Sequence, residues 1–154
     1  MPQSSEPTGQ VSLTVEDVYP LTPSQAGMLF HTLYAPGSQL YVNQYVFALR
    51  GSPDAAALRR AWQGAVERHP VLRTSFAWEG LDTPLQVVYR GAALPWEAHD
   101  WRALPWEEQA ERRTRYLEAD RERGFDLTAP PLMRVSLLRT ADDAWELVWS
   151  YHHL

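Results

Sequence analysis

The chain has 154 residues, 45% of them hydrophobic and seven of them tryptophan, which is enough for one domain with a real core. A formal net charge of -5 leaves no basic footprint for nucleic acid, and all 14 positive residues are arginine. The absence of cysteine excludes a disulfide framework and a thiolate nucleophile. No apolar run reaches the roughly 18 to 20 residues of a membrane span, and Met1 to Pro7 lacks the basic and apolar regions of a signal peptide. The composition predicts a soluble, cytoplasmic protein.

Residues 1–13 are rich in Ser, Pro, Gly and Gln, a composition that cannot offset its ordering entropy, and read as a flexible tail or interdomain linker. Thr22, Pro23, Ser24 and Gln25 predict a helix start, with Thr22 as cap, Pro23 at the first helical position and Gln25 closing a capping box. That helix should run to about Tyr34 and bury Ala26, Leu29, Phe30 and Leu33 as one stripe, with Pro36 and Gly37 ending it. His31 lies off the stripe and reads as a partly exposed helix residue rather than a ligand. From Tyr41 to Arg50 the pattern has period two with apolar residues on both faces, which predicts a strand inside a sheet. Gly51 breaks it, Ser52 can cap, and Pro53 opens a helix that buries Leu58, Ala61, Trp62, Ala65 and Val66 and stops around His69 and Pro70.

Strands follow at Leu72 to Glu79 and at about Leu85 to Arg90, joined by a turn at Gly80 to Asp82. Trp96 to Trp101 reads as an extended segment. Trp106 to about Arg123 interleaves acidic and basic residues, which predicts a solvated helix whose charges need no functional explanation, ended by Gly124. After Phe125, Asp126, Leu127 and the Pro130 Pro131 pair come a strand from Leu132 to Thr140, a turn at Ala141 to Asp143 and a closing strand to His153. Mixed helices and strands with a terminal antiparallel hairpin predict an α+β fold.

In the closing strand Trp145, Leu147, Trp149, Tyr151 and His153 share one face, and Glu146, Val148, Ser150 and His152 the other, so the two imidazoles point apart. With the apolar face buried, His153 is the inward histidine, kept neutral by desolvation as a general base requires, and His152 is available for a structural hydrogen bond. On this stretch alone two readings stay open: catalysis, or a pair of satisfied or solvated side chains at a strand end. No metal site is expected, because neighbours on a strand diverge and no Cys or Asp/Glu/His cluster at ligand spacing accompanies the pair.

Three separated stretches, taken together, resemble a known family. Tyr19, Pro20, Leu21, Thr22, Pro23, Ser24, Gln25, then Gly27, Met28, Leu29, Phe30, His31, resembles the first signature of the condensation domains of nonribosomal peptide synthetases. Arg68, His69, Pro70, Val71, Leu72, Arg73, Thr74, Ser75, Phe76 resembles their second. Ser150, Tyr151, His152, His153 resembles the opening of their active-site motif, two histidines followed by three variable residues, Asp and Gly. Phe125, Asp126, Leu127 with Pro131, Leu132 and Arg134 is similar to the segment that approaches it.

The resemblance implies a fold similar to chloramphenicol acetyltransferase, two lobes enclosing a tunnel. Residues 14–154 would supply most of the N-terminal lobe, stopping inside the active-site motif. It implies peptide-bond formation, in which the amine of a carrier-bound acceptor attacks the thioester of a carrier-bound donor. His153 and His152 are the implied catalytic residues. His153 would position or deprotonate the amine or stabilise the tetrahedral species, and His152 would support it.

Arg73 is implied to brace the active-site loop by pairing with the motif's Asp. Physically, an arginine in a lobe interior needs a carboxylate, whereas without the resemblance Arg73 reads as an ordinary surface residue. Arg68 is a possible substitute. No cofactor is expected to bind directly, since the substrates ride on the phosphopantetheine of carrier domains. Implied partners are peptidyl and aminoacyl carrier domains and adjacent synthetase domains, including a C-terminal lobe, with neither nucleic acid nor membrane.

Residues 1–154 alone are expected to be inactive. Gly27, Met28, Leu29, Phe30, His31, where many relatives have Arg, Leu and Trp, resembles the subgroup that accepts a D-configured donor. Two alternatives stay open: an acyltransferase of the same superfamily that uses coenzyme A, and a non-catalytic module that docks or recruits a carrier protein. No residue identifies the substrate side chains.

Overall fold

The computed structural model describes residues 13–154, so the expected tail falls outside the described residues except for Leu13. In chain order the elements are β1 (Thr14–Pro20), α1 (Pro23–Tyr34), β2 (Val42–Arg50), α2 (Ala55–Arg68), a 3₁₀ turn (Pro70–Arg73), β3 (Thr74–Ala77), β4 (Leu85–Arg90), β5 (Trp96–Asp100), α3 (Trp106–Arg123), β6 (Met133–Arg139) and β7 (Ala144–His152). They form two sheets. One is antiparallel with order β1-β4-β3; the other has order β2-β7-β6-β5, antiparallel except where β5 runs parallel to β6. The predicted α+β class and terminal hairpin are both present.

Local chemistry accounts for the helix starts. Thr22 Oγ accepts from the Gln25 N–H at 3.3 Å while Gln25 Oε1 accepts from the Thr22 N–H at 3.0 Å, completing the box that starts α1. The cap of α2 is Asp54, not Ser52: Asp54 Oδ1 accepts from the Ala56 and Ala57 N–H groups at 2.9 and 3.0 Å. A carboxylate reaching two orphan donors outcompetes a hydroxyl two residues earlier.

The core lies on both faces of the larger sheet, under α2 on one side and α3 on the other. Val66 of α2 packs with Leu94, Met133, Val135, Leu137 and Leu147, and Trp62, Trp145 and Trp149 close around them. On the other face of the larger sheet Trp101, Leu138 and Val148 pack with Tyr116 and Leu117 of α3. β6 is therefore covered on both sides, which is why Met133 through Leu138 are all buried. Each such aliphatic side chain contributes about 1.5–3 kcal/mol of burial free energy.

One strand is not foreseen and three expectations are corrected. Thr14–Pro20 is a strand, which no periodicity in the sequence predicts; every residue of it is exposed, so no buried face wrote a pattern. β2 has one bonded neighbour among the described residues and stands at a sheet edge, with Tyr45 and Phe47 about half exposed. Alternating apolar residues report covered faces, not neighbours. In α1, Leu29 is buried but Phe30 is 61% exposed, because Gln25 and Thr32 are drawn inward by polar partners and rotate the expected stripe outward. The strand expected from Leu72 begins at Thr74, since Pro70 opens a 3₁₀ turn that carries Leu72 and Arg73.

Candidate active site

β7 carries His152, with His153 just past its end, to the rim of a cleft of about 300 Å³ that opens between the sheets. Its walls are Val71 and Leu72 of the 3₁₀ turn, Thr74 and Phe76 of β3, Gln86 of β4, Met133 of β6, and Trp149 and Tyr151 of β7, with Gln25 of α1 at one end. The lining is mainly apolar with a few amides and hydroxyls, the composition of a small-molecule site.

The two imidazoles do point apart, but the inward one is His152. It is 7% exposed, whereas His153 lies past the end of β7 and is exposed. The Leu154 N–H donates to His152 Nδ1 at 3.1 Å, and His152 Nε2 lies 3.5 Å from Thr32 Oγ, which itself donates to the Met28 carbonyl at 2.9 Å. Burial, with the neighbouring His153 adding to it, lowers the His152 pKa to about 4, so the ring is neutral near pH 7.

The expectation of an inward, desolvated His153 fails because both faces of β7 are covered, Leu147 being buried on one and Val148, Ser150 and His152 on the other. Alternation cannot choose between them; α1, through Thr32, and the chain at Tyr41 cover the His152 side. The Tyr41 ring stands edge-on to His152 at 6.2 Å between centroids, and its carbonyl accepts the His153 N–H at 2.8 Å. Tyr41 does this with a φ of 68°, a left-handed conformation that is unfavourable for an aromatic residue and fixed here by its neighbours.

Gln25 ties the first helix to the histidines. Its Nε2 donates to Gln86 Oε1 at 2.9 Å and to the Leu154 carbonyl at 3.3 Å, and Gln86 Nε2 donates to the Pro20 carbonyl at 3.1 Å. From the sequence Gln25 has a capping role alone. Its second role needs β4, which no local signal places beside α1.

Arg73 is buried and ion-paired, but its carboxylate is Glu16 of β1. Its Nη1 also donates to the Tyr89 carbonyl at 2.8 Å and its Nε to the Glu67 carbonyl at 3.2 Å. Arg73 thus clamps β1, β4 and the end of α2 around the turn whose Val71 and Leu72 line the cleft. Arg68, the suggested substitute, is exposed at the end of α2. Nothing local in the sequence distinguishes Glu16 from any other acidic residue.

A second carboxylate that the sequence does not single out lies behind β7. Asp120 of α3 is buried and accepts from Arg134 Nε at 2.5 Å, Ser150 Oγ at 2.5 Å and Gln44 Nε2 at 2.7 Å. The expectation that the charges of α3 are merely solvated therefore fails at this residue. Although desolvation opposes it, the bonds from Arg134, Ser150 and Gln44 hold the carboxyl below its ordinary pKa. Among the described residues no group of His, Asp or Glu could hold a metal ion, and no helix is long and apolar enough to cross a membrane.

The sequence model of the condensation-domain family matches residues 15–154. The chain belongs to the condensation-domain family.

Similarity to individual members agrees. A linear gramicidin synthase polypeptide of Brevibacillus parabrevis is 48% identical over 140 residues, covering 91% of this chain and 3% of the relative. Tyrocidine synthase 2 of the same organism is 39% identical over 140 residues, covering 91% and 4%. This condensation-domain chain therefore spans a small part of the curated relatives it matches. Among solved structures, a four-domain nonribosomal peptide synthetase bound to AMP and glycine superposes with a TM-score of 0.80 at 18% identity, covering 96% of this chain and 11% of that one. The starter condensation domain of the rhizomide synthetase superposes at 0.78 with 22% identity, covering 90% and 33%. These likenesses establish the fold and bear out the expected chloramphenicol acetyltransferase-like architecture.

Proposed function

We propose that this chain supplies the histidine-bearing part of a condensation domain that forms peptide bonds between two carrier-bound substrates in nonribosomal peptide synthesis. The observation that carries the reading is the histidine pair at the cleft rim, one ring buried and neutral, its neighbour exposed beside it. The acceptor amine attacks the donor thioester carbonyl, so a C–N bond forms as the C–S bond breaks. His153 takes the proton from the attacking nitrogen and the phosphopantetheine thiol of the donor carrier leaves with a proton. His152 holds the backbone on which His153 is mounted, and Arg73 braces the wall of the cleft from behind. No cofactor takes part directly, and the partners are carrier domains and the adjoining domains of a cytoplasmic synthetase.

The reading is tested with the full-length polypeptide that contains these residues. A donor is offered either on a carrier domain or as its coenzyme A thioester, with the acceptor amine on a second carrier. Amide formation from the carrier-bound donor is expected. No amide, or transfer only from coenzyme A, would contradict it, the second outcome favouring the acyltransferase alternative. Residues 1–154 alone span 33% of the rhizomide synthetase chain they match and are expected to form no amide. With matched donors in the full-length protein, the D-terminated form is expected to react faster; preference for the L form would refute that part of the reading.

A further inference from the structure

Three side chains from three neighbouring strands converge on one carboxylate behind the histidines. Gln44 of β2 and Arg134 of β6 are the two cross-strand partners of Ser150 in β7, so the three form one row across the sheet. Asp120 accepts from all three, and Arg134 is further held by the Asp120 and Gly124 carbonyls and by the Phe125 ring, 4.2 Å from its guanidinium carbon. Ser150 and His152, two apart on β7, share this face.

We propose that Asp120 is a positioning residue for condensation, fixing the register of β7 through Ser150 and Arg134 and so deciding which histidine is buried and which faces the reactants. The apolar residues of β7 do not set that register by themselves. Trp145, Leu147, Trp149 and Tyr151 pack into the core on one face and resist a one-residue slip, but on the face that carries His152 the one buried apolar residue is Val148, beside Ser150, so the polar groups there share in setting the register. Such a slip turns every side chain to the other face, exchanging the places of His152 and His153. A row of polar side chains bound to one buried acceptor also opposes it, because a slipped strand would leave Asp120 and Arg134 without their partners. Stability alone is a poor reason for the pair, since buried ion pairs can often be replaced by apolar residues without loss, whereas specifying register is a well-attested use. Asp120 touches no substrate and acts through Ser150.

The inference rests on the catalytic reading above, and its test separates the two. In the full-length protein, Ser150→Ala cuts only the link from Asp120 to β7, Ser150→Thr keeps the hydroxyl, and the double variant Asp120→Leu, Arg134→Met removes both charges together. For Ser150→Ala and the double variant, kcat for amide formation is expected to fall on the order of 10- to 100-fold, with KM for the loaded carriers within about twofold. Ser150→Thr is expected to recover most of the rate. Independently of activity, hydrogen exchange at the His152 N–H, bonded to the Leu132 carbonyl, and the His153 N–H should accelerate in both damaging variants, while the Phe76 N–H, bonded to the Leu127 carbonyl, keeps its protection.

Unchanged kcat and unchanged exchange at both histidines in Ser150→Ala or the folded double variant would overturn the proposal. If the wild-type protein forms no amide, the catalytic reading fails, and the exchange comparison still decides whether Asp120 sets the register of β7.

Discussion

The Leu154 N–H donates to Nδ1 of His152, which makes that nitrogen an acceptor and leaves the proton of the neutral ring on Nε2, facing Thr32 Oγ. A ring held from both sides in this way is fixed in tautomer and orientation, which suits support rather than proton transfer.

Acid should unload this ring from the fold. The His152 pKa is lowered from 6.5 to about 4, so between those values the unfolded chain binds a proton that the folded chain does not. Its contribution to stability is full above about pH 6.5 and is lost as pH falls through 4, on the order of 3 kcal/mol at the limit. NMR should find the His152 ring neutral at pH 5.5, and His152→Gln should flatten this part of the urea-stability profile. A His152 ring that titrates near 6.5 would contradict the assignment.

Much of this fold was legible because its elements carry strong local signals. The capping box at Thr22 and Gln25, the span of α3 from Trp106 to Gly124, and the Leu85–Arg90 strand all stand where periodicity and punctuation put them. The site was legible only as a set of residues. Which face of β7 is covered depends on α1, more than a hundred residues away in sequence, and the partners of Arg73 and Gln25 come from β1 and β4. A carboxylate such as Glu16 or Asp120 looks like any other acidic residue until the tertiary fold brings an arginine to it.

The Arg73 clamp should be stronger than its ion pair. Arg73→Met should lower Tm more than Glu16→Gln, because the arginine also holds the Tyr89 and Glu67 carbonyls. The bond from Arg73 lowers the pKa of Glu16 below its ordinary 4.5, so the stability this carboxylate contributes is present above pH 4.5 and is lost as pH falls below it. Thermal melts of wild type and Glu16→Gln should therefore converge as pH falls below 4.5; a difference that does not shrink with acid would count against the pair.

Gln25 and Thr22 can be told apart. Thr22→Ala removes the helix cap and should cost about 1 kcal/mol of stability, with little change in the rate of amide formation. Gln25→Ala loses the bonds to Gln86 and the Leu154 carbonyl as well and should reduce both stability and kcat. Equal effects of the two substitutions on kcat would show that Gln25 acts only as a cap.

Core packing sets a reference scale. Leu137 is fully buried in the middle of β6, and Leu137→Ala should cost about 2–5 kcal/mol by equilibrium denaturation. A smaller loss would mean that α2 and the larger sheet collapse around the deletion.

The proposed chemistry depends above all on His153 being the residue that meets the reactants. In the full-length protein, with donor and acceptor both loaded on carrier domains, the rate of amide formation is measured for wild type, His153→Ala and His152→Ala, alongside the Tm of each. His153→Ala is expected to retain the wild-type Tm and lose amide formation by on the order of 100-fold or more, while His152→Ala lowers Tm. A His153→Ala protein that condenses at the wild-type rate would contradict this assignment.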